Sequence, residues 1–188
     1  MDIQHGAKGI ERAALNINPG GWAVEDTKPI STLLGSCVAV CLYDPKIRLA
    51  GMNHFLLPSR GHNNFDDTDV VLAGDFAMEV LVNAMINKGA QKGRLIAKAF
   101  GGSNIVDSIR MAIGERNSEF ARDWLERENI PLVASDFGGS WARKVLCHPC
   151  TGDAWCRRTP ISSVDTRAEQ EYQQSLSVLT PRKIELFL

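Results

Sequence analysis

The sequence predicts an α+β fold, a layered sandwich of mostly antiparallel strands with helices packed outside. Two observations carry this expectation. Two apolar, strand-like runs early in the chain are separated by a tight turn, the pattern of an antiparallel hairpin. Beyond them, short strand-like runs alternate with stretches of helical period. With 188 residues and 44% apolar side chains, there is material for one domain with a sizeable core.

Residues 1–18 show no clear period and read as an N-terminal extension, disordered or loosely docked. Pro19-Gly20-Gly21 then punctuates entry into a domain spanning 19–158. In the first strand Val38, Val40 and Leu42 face one side, and Ala39, Cys41 and Tyr43 face the other. Asp44-Pro45 supplies the turn, and the run from Leu49 to Leu57 forms the return strand. Residues 59–69 are polar and loop-like, placed to wall or cover what lies beside that strand, and His62 sits among them. Val70, Phe76, Val80, Leu81, Ala84 and Met85 trace the apolar face of a main helix over 69–88, which Gly89 stops.

Residues 94–100 form a further strand, and Gly101-Gly102-Ser103-Asn104 turns into a short helix at 105–112. Asn117 caps a second helix reaching 128. Strands at 131–136 and 143–147 are joined by the Gly138-Gly139 turn, and a last strand covers 154–158. From 159 to 188 the composition shifts to Ser, Thr, Gln and Glu, so this C-terminal tail is expected to be flexible or docked outside the domain.

The chemistry concentrates in the hairpin. Cys37 enters the first strand from a small-residue Gly35-Ser36 turn, which can leave a thiol open to substrate while the apolar run behind it anchors the backbone. Pairing across the turn brings the high thirties opposite the mid fifties, so His54 can reach Cys37 as its base. Thr32 can hold the far ring nitrogen of His54, the third role in a nucleophile, base and orienter arrangement. On spacing alone the bland reading, a buried thiol and a core histidine, wins.

Further motifs change that balance. Leu34-Gly35-Ser36-Cys37, Leu42-Tyr43-Asp44-Pro45 and Met52-Asn53-His54-Phe55-Leu56-Leu57-Pro58 resemble the CheD family of bacterial chemoreceptor glutamine deamidases. Lys98-Ala99-Phe100-Gly101-Gly102-Ser103-Asn104, Ile113-Gly114-Glu115-Arg116-Asn117, Asp136-Phe137-Gly138-Gly139-Ser140 and Arg143-Lys144-Val145 resemble the same family in the same order, across 20–158. The resemblance implies a catalytic Cys, His and Thr, which fall on Cys37, His54 and Thr32. Ser31 also carries a hydroxyl, six positions before Cys37, so the third role stands open between Thr32 and Ser31. The fold it implies is a layered one, similar to the catalytic domains of bacterial toxins that deamidate glutamine.

The activity so implied is protein-glutamine glutaminase, in which a Cys37 thioester converts receptor glutamines to glutamate with release of ammonia. Receptor methylesterase activity is a possible side reaction, since a glutamyl ester presents a similar acyl carbon. Receptor cytoplasmic helices are the implied protein substrate and a CheC-type phosphatase the implied partner. A transglutaminase-like acyl transferase and a non-catalytic chemotaxis adaptor are the competing readings.

Composition excludes several other classes. A net charge of −1 argues against nucleic-acid binding, which calls for a basic face. No apolar stretch matches a membrane span, and the N-terminus lacks a secretory pattern, so a cytoplasmic protein is expected. Five cysteines without a secretion signal read as reduced thiols. Cys147, His148, Cys150 and Cys156 hold zinc-type atoms, but adjacent strand residues point to opposite faces and no second Cys pair follows. The Gly101-Gly102 turn lacks the Gly-Lys-Ser/Thr ending of a phosphate loop. Neither metal nor cofactor is expected.

Overall fold

The structure, a computed structural model, describes residues 3–58, 67–104 and 108–178. Along the chain run α1 (Ile3–Ala13), β1 (Leu15–Asn16), β2 (Trp22–Glu25), β3 (Ile30–Leu34), β4 (Val38–Asp44), β5 (Leu49–Asn53) and α2 (Asp67–Asn87). There follow β6 (Ile96–Gly101), α3 (Ser108–Arg127), β7 (Leu132–Phe137), β8 (Trp141–Cys147), β9 (Ala154–Pro160) and α4 (Arg167–Val178).

The β4–β5 hairpin forms as its sequence requires. Cys41 pairs with Met52 and Asp44 with Leu49. Asp44 shapes the turn by accepting the Lys46 N–H at 3.0 Å, and Arg94 grips the same carboxylate at 2.8–3.0 Å. That guanidinium, opposed by burial and helped by the Gln91 and Lys46 N–H groups, holds the Asp44 carboxyl below its ordinary value.

Two sheets result, one ordered β2-β5-β4-β6-β7 and the other β1-β3-β8-β9. Pairings are antiparallel except β1 with β3 and β6 with β7. The alternation of β4 sorts its side chains between two cores. Val38, Val40 and Leu42 meet Met78, Leu81, Met85, Trp124 and Leu125 from the helix layer. Cys37, Ala39, Cys41 and Tyr43 meet Ile30, Leu34, Val145 and Cys147 from the four-stranded sheet. Each large side chain buried there contributes roughly 1.5–3 kcal/mol relative to exposure. By length and composition α2 could cross a membrane, over Val70–Asn87. Instead Met78, Leu81 and Met85 seat it on the sheet beside β5 and β2, which makes it a core helix.

Four connections pass from one sheet to the other, β1–β2, β2–β3, β3–β4 and β7–β8, and the last two shape the site. Gly35-Ser36-Cys37 joins β3 of the four-stranded sheet to β4 of the five-stranded one, so the nucleophile candidate sits at a sheet crossover. Gly138-Gly139 likewise joins β7 to β8, which are therefore not hairpin partners.

Three local expectations change. The segment after Asn104 does not hold two helices, because α3 runs unbroken from Ser108 to Arg127. Gly114 does not stop it; it serves close packing, since a Cβ there would lie 2.6 Å from the carbonyl oxygens of Gly102 and Ser103. Asn117 is thus a buried mid-helix residue and caps nothing. Ahead of the domain, α1 forms and β1 pairs with β3, so the extension adds an edge strand to the four-stranded sheet. His62, with most of its loop, lies outside the described residues, as do residues 179–188.

Candidate active site

Four segments converge at the crossover. β3 brings Thr32, the crossover brings Cys37, the end of β5 leads into His54, and α4 brings Glu169. The β4–β5 pairing extends one step past the strand, with Val38 and Phe55 exchanging backbone bonds at 3.0 and 2.9 Å. His54 itself is clamped against the segment before β2, its N–H donating to Gly21 O at 3.0 Å and its carbonyl accepting from Gly20 N at 2.8 Å.

The hydroxyl of Thr32 lies 2.7 Å from His54 Nδ1 and donates to the carbonyl of Ile17 at 2.8 Å. A hydroxyl has one proton, and a carbonyl can only accept it. To satisfy both contacts, Nδ1 must carry its own proton and donate to Thr32 Oγ1. The lone pair of a neutral His54 is therefore on Nε2, which lies 3.6 Å from Glu169 Oε1 and has no hydrogen-bond partner among the described residues. Ser31 points away, toward Asn16 Oδ1 at 3.4 Å. Adjacent strand residues face opposite sides, so only one of the two hydroxyls can reach the ring.

The turn before Cys37 is held by its carbonyls. Gly35 O accepts from Ser103 N at 3.1 Å, Ser36 O from Asn117 Nδ2 at 2.9 Å, and Cys37 O from Gly102 N at 2.8 Å. Gly102 has φ +66, and a Cβ on Gly101 would collide with the Cys37 carbonyl, so the glycine pair is what lets β6 come this close. Arg143 supports Ser103 from behind, donating to its hydroxyl at 2.6 Å while its guanidinium also meets Asp136. With every carbonyl of the turn turned outward, the N–H groups of Gly35 and Ser36 are left aimed into the site. They donate to the two oxygens of Glu169 at 2.6 and 3.0 Å. Fixed backbone donors of this kind stabilise negative oxygen without reorganising.

Burial is nearly complete, with Cys37 at 0% and His54 at 1% exposure. Burial pushes the Cys37 thiol well above its ordinary value, and the Glu169 charge adds to this. For Glu169 burial acts upward too, but His54 and the Gly35 N–H outweigh it and hold the carboxyl below its ordinary value. Ligand-type atoms of Cys37, His54 and Glu169 all lie within 4.8 Å of one another. Cys147, Cys150 and Cys156 do not converge in this way. Cys147 is buried beside Cys41, Cys150 is exposed, and Cys156 is half-buried near Asp136.

The model of the family described as "CheD chemotactic sensory transduction" matches residues 56–158. A probable chemoreceptor glutamine deamidase, CheD 2, of Dechloromonas aromatica is 52% identical over 187 residues, covering 95% of each chain. The chain belongs to the CheD family. A second probable chemoreceptor glutamine deamidase, CheD 2 of Burkholderia thailandensis, is 40% identical across 94% of each chain. The corresponding Vibrio vulnificus protein is 40% identical, covering 92% of this chain and 86% of its own.

Within this CheD chain, the motifs that carried the resemblance have a common physical task. Gly101, Gly102, Ser103, Asn117, Asp136 and Arg143 build the support of the Gly35-Ser36-Cys37 turn. Sequence reasoning found the motifs but not this convergence, and it missed Glu169 altogether. The signal for α4 was Ala168, Tyr172 and Leu176 at four-residue spacing within an otherwise polar stretch. Nothing in that pattern singles out Glu169, whose partners are more than a hundred residues away.

Proposed function

We propose that this chain is a protein-glutamine glutaminase that deamidates glutamine side chains of chemoreceptors, the methyl-accepting chemotaxis proteins, with Cys37 as nucleophile. The names of its relatives support the substrate, and one observation supports the mechanism. Thr32 holds His54 with its free lone pair toward Cys37, beside two backbone N–H groups able to receive a developing oxyanion.

The steps follow from those positions. His54 Nε2 takes the thiol proton as Cys37 Sγ attacks the carboxamide carbon. The oxygen that gains charge is received by the Gly35 and Ser36 N–H groups. These donors lie one and two residues before the nucleophile. The imidazolium returns its proton to the departing nitrogen, ammonia leaves, and a thioester remains. Water activated by His54 hydrolyses it to glutamate and restores the thiol. Thr32 is a positioning residue throughout. The same acyl chemistry extends to methyl esters of glutamate, and no cofactor or metal enters it.

The test is to incubate the protein with purified receptor cytoplasmic segments, measure ammonia, and map amide-to-acid changes by peptide mass. A product crosslinked through lysine would indicate a transglutaminase instead. Family membership also supports a CheC-type phosphatase as partner and a cytoplasmic place of action, both of which a pull-down and fractionation would examine.

A further inference from the structure

Cys37 and His54 are sealed, so no substrate glutamine can reach them in this conformation. What seals them is a glutamate. Its carboxylate takes the Gly35 and Ser36 N–H groups, and Oε1 lies 3.6 Å from His54 Nε2. A glutamate side chain is also what glutamine deamidation leaves behind. We propose that α4 is a built-in occupant of the substrate site that holds Glu169 where the product carboxylate sits, so that a substrate segment must displace α4 to reach Cys37. This rests on the deamidase reading above and specifies how that site is regulated and what shape of segment it takes.

Three further observations bear on it. Between Arg167 and Leu176 the helix is exposed apart from Glu169 and the half-buried Tyr172, Gln173 and Leu176, and of these Tyr172 and Leu176 pack against the inter-sheet core, so displacing this stretch uncovers two large apolar side chains. Tyr172 sits directly over Gly20, where a Cβ would come within 2.6 Å of its ring. Beside these two residues a groove of about 420 Å³ runs along His54, Phe55 and α2. Its rim carries Trp22 at 49% and Phe76 at 56% exposure. The groove is mostly apolar, with Asn53 and His54 among its lining, so it suits an amphipathic helix that occupies the place of Tyr172 and Leu176 and presents a glutamine toward His54. The charge on Glu169 also favours the thiol over the thiolate, so the closed state is chemically quiet as well as covered.

The position makes a direct test possible in the full chain. In Glu169→Gln an amide nitrogen cannot accept from either backbone donor, so the side chain must turn to place its carbonyl oxygen on the Gly35 and Ser36 N–H groups and its nitrogen toward His54. Cys37 then attacks Cδ, the C–N bond breaks, ammonia leaves with the thiol proton relayed by His54, and water hydrolyses the thioester. Residue 169 of this variant should be recovered as glutamate by peptide mass, and as glutamine when Cys37→Ser is added. Glu169→Ala, which removes two charge-assisted bonds, should speed alkylation of Cys37 by iodoacetamide roughly tenfold or more and raise kcat/KM on receptor segments. Tyr172→Ala, which loosens α4 without touching the carboxylate, should shift both readouts the same way.

Glutamine persisting at residue 169 in a preparation that deamidates receptor segments would overturn the proposal. So would loss of deamidation in Glu169→Ala with Cys37 alkylation unchanged, which would make Glu169 catalytic. Stoichiometric metal bound by the wild type and lost in Glu169→Ala would overturn it too, by making Glu169 a ligand. Failure of the deamidase reading looks different, since no variant would then act on receptor segments while the alkylation rates still report on α4.

Discussion

Thr32 Oγ1 lies 2.7 Å from His54 Nδ1 and donates its hydroxyl hydrogen bond to Ile17 O, which places the lone pair of a neutral histidine on Nε2. A single hydroxyl thereby sets both the ring orientation and the tautomer of the proposed base.

Removing it should uncouple the base from the nucleophile. Thr32→Ala is expected to lower kcat by about a hundredfold, the scale of a small misplacement at a reacting centre. Ser31→Ala, whose hydroxyl faces Asn16, should change kcat little. Adding Thr32→Ala to His54→Ala should cost almost nothing beyond His54→Ala, because the two act as one unit. Steady-state ammonia release by the four variants checks this, and equal, additive losses would move the role off Thr32.

Cys37→Ala should abolish ammonia release and leave the fold intact, as read by circular dichroism and melting temperature. Cys41→Ala should retain activity. Its free thiol packs beside that of Cys147 between the two sheets, so the change removes one sulfur from a packed layer at a cost of about 1 kcal/mol in stability.

Asn117 links the turn before Cys37 to the segment after His54, donating to Ser36 O at 2.9 Å and accepting Leu57 N at 3.0 Å. Asn117→Asp keeps the acceptor and loses the donor, leaving Ser36 O free to swing. The expected result is a lower kcat with KM little changed. Asn117→Ala orphans two groups and should also destabilise the protein by roughly 2–4 kcal/mol. Denaturant melts beside kinetics separate the two effects.

Asp136 is bracketed by Arg158 at 2.6 Å and the buried Arg143 at 3.2 Å. Hydrogen bonds from Arg158, opposed by burial and reinforced by Arg143, hold its carboxyl far below the ordinary range. A depressed folded value means the stabilisation is full above the unfolded value of about 3.9 and is lost as pH falls toward the folded one. Asp136→Asn should therefore cost roughly 3 kcal/mol near neutral pH, since it strands the Arg143 charge. The gap between wild type and variant should narrow in acid as pH drops below about 4. Melting temperatures across that range provide the check, and a gap independent of pH would remove the ion pair from the account.

The hairpin, a helix expected over 69–88 and found over Asp67–Asn87, and the order of the later strands were legible in the sequence because each depends on local pattern, and the Cys37–His54 proximity followed from the hairpin turn. Alternation in β4 stated which residues share a face, and Asp44-Pro45 stated where the chain turns. The resemblance pointed to a Cys, His and hydroxyl set, yet could not choose between Ser31 and Thr32. That choice depended on strand register, in which one step reverses every side chain. Tertiary structure alone decided the remaining features. Asn117 became a brace because α3 continued through Gly114, whose missing Cβ answers to the Gly102 and Ser103 carbonyls and to no local signal. β7 and β8 separated into different sheets because Gly138-Gly139 crosses between layers. Glu169 reached Cys37 across 132 positions only because β3, β4 and α4 meet at one crossover. Short-range patterns specify elements and faces, whereas the directions of the Gly35 and Ser36 N–H groups, and what occupies them, arise only when distant backbone carbonyls find their partners.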